Sequence, residues 1–105
     1  MANTQLSDDL RQMIAVLEQE RQALASLDRD GLIEAAREKE ALCEKLAPVG
    51  PDMLDPQTRD LAETARQLNE VNRRVRNLLA ANVATRLEAI GGKRATYQPV
   101  SIAHA

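Results

Sequence analysis

The sequence predicts an all-α fold, a three-helix antiparallel bundle with a flexible C-terminal tail, and three observations carry that prediction. Phe and Trp are absent and Tyr97 is the only aromatic residue, so the core must be built from Leu, Val, Ile, Met and Ala. Such side chains suit helix-on-helix seams better than a sheet sandwich. Apolar residues recur at helical spacing, not in strand alternation. Prolines and glycines, which break helices, fall at Gly31, between Pro48 and Pro56, and at Gly91-Gly92, leaving three uninterrupted stretches before the tail. These limits give a bundle over residues 1–92, with helices at about 7–28, 31–46 and 56–90, and a tail over 93–105. The alternative is a long two-helix hairpin, in which the first two helices form one kinked rod.

Helix 1 is expected to begin at Leu6-Ser7-Asp8-Asp9, with Ser7 as cap and two carboxylates in the first turn, where the helix dipole favours them. Leu10, Met13, Leu17, Leu24 and Leu27 then follow heptad a/d spacing. Glu20 occupies the one slot that breaks the run, which places it at a helix edge or facing water. The segment Asp28-Arg29-Asp30-Gly31 carries turn chemistry, with Asp30 as the cap of a new helix, and favours a reversal over a kink.

Helix 2 is expected to bury Leu32, Ala35, Ala36, Leu42, Cys43 and Leu46, with Cys43 as a small core hydrophobe, until Ala47-Pro48-Val49-Gly50-Pro51 stops it. Helix 3 starts at Asp55-Pro56, a cap followed by a proline at the first helical position. It runs for about 35 residues, roughly 52 Å. Gly91-Gly92 is expected to supply a left-handed cap at its end. Asn72 and Asn82 fall within its apolar arc, either as register-fixing seam residues or at a wetted edge. With Leu79 as origin, Val75, Asn82 and Leu78 lie to one side and Val83, Ile90 and Leu87 to the other. That arc spans roughly 180°, where covering one core needs about 100°. Either helices 1 and 2 cover both sides, or part of the arc is a groove for another helix.

Net charge is −2, placed unevenly: residues 1–55 hold 12 acidic and 6 basic side chains, and residues 56–105 hold 4 acidic and 8 basic. Attraction between the two halves is the simplest reading. A nucleic-acid surface centred on Arg73, Arg74 and Arg76 is the lesser one, since no aromatic lies nearby to stack on bases. No catalytic constellation is visible, because the single histidine, His104, lies in the tail. One Cys and one His satisfy no zinc spacing, and no glycine-rich loop precedes a helix. The chain is therefore expected to be non-enzymatic, without metal or cofactor.

Uninterrupted apolar stretches such as Leu78–Ala81 fall far short of the ~20 residues needed to span a bilayer. Met1-Ala2-Asn3-Thr4 shows no basic region followed by an apolar run. With a single thiol, these features fit a cytoplasmic protein without a membrane span. In oligomeric state it is expected to be a monomer or weak homodimer. A structural coiled-coil homodimer or adaptor is the rival from another class.

A leading leucine-patterned helix, the Leu27-Asp28-Arg29-Asp30 break before Leu32, and the run Glu38-Lys39-Glu40-Ala41-Leu42-Cys43-Glu44-Lys45-Leu46 come first. The segment Asn69 to Asn82 with Asn72 and Leu78-Leu79 follows, then a short tail bearing Tyr97. In this combination the chain resembles the FlgN family of flagellar type III export chaperones. The resemblance implies binding to hook-filament junction proteins of FlgK or FlgL type and delivery to an export gate protein of FlhA type. It implies that Leu79, Val83, Leu87 and Ile90 contact a helical segment of the client, and that Tyr97 with Pro99 and Val100 docks on the gate. Packing of Tyr97 onto helix 3 as a lid is the competing expectation for the tail.

Overall fold

The computed structural model describes the backbone of residues 2–92 and the side chains of residues 4–91. Three helices, α1 (Ala2–Ser26), α2 (Arg29–Leu46) and α3 (Pro56–Gly92), form an all-α three-helix bundle. By internal packing the chain parts into two compact units, Met1–Val75 and Arg76–Ala105, with the division inside α3. The expected tail, 93–105, lies outside the described residues.

In the first unit α1 and α2 pack antiparallel, since Lys39 reaches back to Glu20 and the Gly31 backbone lies against Ala23. The break between them is thus a reversal and not a kink. The N-terminal part of α3 runs alongside α1 in the same direction: Ala62 and Ala65 share a groove with Leu10 and Met13, and Asn72 reaches Leu17 and Glu20. The core is Met13, Val16, Leu17, Ala35, Leu42 and Ala65, with Ile14, Leu46 and Leu68 packed against it. Without aromatic side chains this packing leaves an open apolar groove of about 260 Å³ among the three helices.

The helix ends differ from the sequence expectation in instructive ways. Helix α1 begins by Ala2, so Ser7 is a buried position within it and not its cap. A cap-type side chain marks a start only where the preceding backbone leaves the helix. At the other end the Leu27 amide donates to the Leu24 carbonyl (3.3 Å) and the Asp28 amide to the Ala23 carbonyl (2.8 Å). That pair of bonds is a Schellman closure. Its left-handed residue is Leu27, at φ 55°, a conformation that glycine adopts without penalty and leucine does not.

Asp28, not Asp30, then caps α2, accepting a hydrogen bond from the Gly31 amide at 3.1 Å. One residue therefore closes α1 and opens α2. Gly31 lies inside α2, where a Cβ would stand 2.6 Å from Asp28 Oδ2 and 3.2 Å from Ala23 Cβ, so its value is close approach between the two helices. Leu27→Gly should raise the unfolding free energy by about 1 kcal/mol, the order of the left-handed penalty for an L residue. Leu27 is 72% exposed, so little packing is lost, and the urea midpoint is the measurement.

The expected start of α3 is reproduced. Asp55 Oδ1 accepts from the Thr58 amide at 2.8 Å, and Thr58 Oγ1 accepts from the Asp55 amide at 2.9 Å. This reciprocal cap has threonine where glutamate is usual, with Pro56 just inside it. At the far end α3 continues through Gly91 and Gly92, with no glycine at positive φ among the described residues. Glycine permits a left-handed cap but does not require one.

Candidate functional site

On α3 the buried residues Thr58, Ala65 and Asn72 recur every seventh position and form one seam line in the first unit. Asn72 is fully buried and donates through Nδ2 to the Leu17 carbonyl and to Glu20 Oε1, both at 2.9 Å. Glu20 is only 5% exposed, which corrects the expectation that it lies at a helix edge or faces water. Its carboxylate accepts from Lys39 Nζ at 3.3 Å to each oxygen, and Lys39 donates at 3.0 Å to Asn69 Oδ1. Glu20, Lys39, Asn69 and Asn72 thus join all three helices through one polar cluster. Among the described residues Asn72 Oδ1 has no hydrogen-bond partner, which leaves the amide half satisfied.

The inward turn of Lys39 corrects the α2 face as well. The buried line is Ala35 and Leu42, flanked by half-buried Lys39 and Leu46, whereas Cys43 and Ala36 are exposed. At about 100° per residue Leu46, Ala35 and Leu42 lie some 20–60° to one side of Lys39, and Cys43 and Ala36 some 40–60° to the other. A face centred on Ala35 and Leu42 therefore leaves Cys43 and Ala36 outside it, and the partly buried Lys39 charge is tolerable because it is paired.

The expected client-binding residues all fall in the second unit. Val83, Leu87 and Ile90 are 55%, 62% and 57% exposed, and Leu79 is half-buried. Asn82 is exposed, so of the two seam asparagines only Asn72 is buried. The expected gate-docking residues Tyr97, Pro99 and Val100 lie outside the described residues.

The charged surface of α3 is largely organised within the helix. Arg66 pairs with Glu63 at 2.6 Å, and Glu70 receives both Arg73 at 2.7 Å and Arg74 at 3.2 Å. Arg66, Arg73, Arg74, Glu63 and Glu70 thus pair within α3, and the interhelical pair Glu20–Lys39 joins two residues of the acidic half. Hydrogen bonds from Arg73, reinforced by its charge and by Arg74, lower the Glu70 carboxyl from 4.5 to about 2. The folded value lies below the unfolded one, so this stabilisation is fully present above about pH 4.5 and is lost as pH falls toward 2. Carboxyl NMR should show Glu70 titrating well below the ordinary glutamate value of 4.5, and Arg73→Gln should move its midpoint back toward that range.

Among the described residues no group of three or more His, Cys, Asp or Glu side chains is placed to hold a metal ion, and no helix is long and apolar enough to cross a membrane. No family model, curated protein or solved structure matches the chain.

Proposed function

We propose that this protein is a cytoplasmic, non-enzymatic flagellar export chaperone of FlgN type. In this role it holds a helical segment of a FlgK- or FlgL-type junction protein and delivers it to an FlhA-type export gate. The observation that supports the reading is the stripe of Leu79, Val83, Leu87 and Ile90, apolar residues at helical spacing, three of them more than half exposed. A helix that keeps such residues in water gains free energy when a second amphipathic helix lies along it, the helix-in-groove mode of peptide recognition. The all-α fold and the absence of any aromatic residue from the described core fit a small scaffold that presents such a face and does no chemistry.

The test is complex formation between the purified chain and a junction protein of this type, read by size-exclusion chromatography with light scattering. A stoichiometric complex supports capture, and separate elution at micromolar concentrations overturns it. A sedimentation series on the chain alone addresses the homodimer rival, which requires mass to rise with concentration as the stripe pairs with its own copy.

A further inference from the structure

Arg86 is the anomaly of the second unit. At about 100° per residue it lies some 20° from Leu79, near the middle of the wide arc that runs from Leu78 and Asn82 on one side to Ile90, Val83 and Leu87 on the other, and between Val83 and Ile90 along the helix. By the same count Glu88 lies on the opposite face. The seven-residue line through Thr58, Ala65 and Asn72 continues in sequence to Leu79 and then to Arg86, so an arginine occupies a seam position. Ion pairing within a helix needs an acid three or four residues away, and those positions hold Asn82, Val83, Ala89 and Ile90. Arg66, Arg73 and Arg74, in contrast, each pair with a glutamate one turn earlier.

The first unit shows how this chain treats polar seam residues. Asn72, two heptads before Arg86, is answered across the helix interface by the Glu20 carboxylate and a backbone carbonyl. A guanidinium offers five donors in a planar fork, so burial of Arg86 beneath a second helix demands a carboxylate facing it. We propose that the stripe of the second unit takes an amphipathic helix with an acidic residue at the centre of its apolar face, set against Arg86. The inference rests on the helix-capture reading of the stripe and adds the partner's charge to it. A cation at a seam position selects among otherwise similar leucine-patterned helices, because an apolar or basic residue opposite it leaves the guanidinium desolvated and unpaired.

Two synthetic helical peptides of about 20 residues test this, alike in their leucine pattern and differing only in Glu or Lys at the central apolar-face position. Fluorescence anisotropy with the full chain should show the Glu peptide bound about tenfold more tightly, a difference of about 1.4 kcal/mol. Arg86→Glu should reverse the order, with circular dichroism confirming that the helices persist. Equal affinities, or a Glu preference that survives Arg86→Glu, overturn the charge assignment while leaving helix capture standing. Failure to bind either peptide overturns both. Self-association of the chain that competes with the Glu peptide overturns the proposal in favour of a second copy as occupant.

Discussion

Replacing Val83 and Leu87 together with serine should weaken capture of a junction-protein helix by two to four orders of magnitude and leave the fold in place. Fully burying a side chain of this size contributes about 1.5–3 kcal/mol, so losing two removes about 3–6 kcal/mol from the complex. The same residues are 55% and 62% exposed in the isolated chain, so the folded state has little contact there to lose. Serine is also an acceptable helix residue, costing only tenths of a kcal/mol relative to the residues it replaces. Pull-down with the double variant is the measurement, accompanied by thermal melts of both proteins. Wild-type capture by the variant sinks the stripe as the binding surface. A melting temperature that falls by more than a few degrees shows instead that these residues are core.

The contrast between Asn72 and Asn82 shows where the sequence was readable. Both occupy the apolar arc of α3, and helical period alone assigns them the same standing, yet one is fully buried and the other exposed. What separates them is the partner across the interface, and a single-helix period contains no information about partners. Glu20 was misplaced for the same reason. Its heptad slot was a seam slot, but a carboxylate there is credible only once Lys39 and Asn72 are brought to it from helices 19 and 52 residues further along. Asp55-Pro56, by contrast, was legible because its chemistry is local: cap, proline and Thr58 lie within one turn. The α1–α2 reversal was legible as a turn and misread in detail, since nothing in the sequence distinguishes a leucine forced into left-handed backbone from one in a helix.

The apolar stripe and the polar cluster are two uses of one helix pattern. Along α3 the seam line passes from small or polar residues that are answered within the chain, Thr58, Ala65 and Asn72, to Leu79 and Arg86. Ala65 packs in the shared core, Thr58 closes the start of α3 on Asp55, and Asn72 links one turn of α3 to the Leu17–Glu20 turn of α1. On the proposed reading the cluster sets register and the stripe sets recognition, and the two should respond to mutation independently.

Lys39→Met should destabilise the first unit by about 3 kcal/mol, the largest effect expected from any single substitution in the cluster. The Glu20 side chain is 6% exposed and that of Lys39 21%, so removing the cation takes a charged partner from a carboxylate whose hydration has already been given up. Asn72 still donates to Glu20, and the Asn69 carbonyl oxygen loses its Lys39 donor. Breaking a buried pair from one side costs about 3–5 kcal/mol, and the partial exposure of Lys39 favours the lower end. In a domain of this size each kcal/mol moves the melting temperature by about 4–8 °C, so a drop of about 12–24 °C is expected. The triple variant Glu20→Leu, Lys39→Met, Asn72→Leu should recover that loss, because apolar packing removes both the buried charge and the Asn72 oxygen. Its cost should appear instead as lost uniqueness, with broadened or doubled amide resonances along α1 and α3 as the helices sample more than one register. A single variant within 1 kcal/mol of wild type would remove the cluster as a stability determinant, and a triple variant with one sharp set of resonances would remove it as the register key.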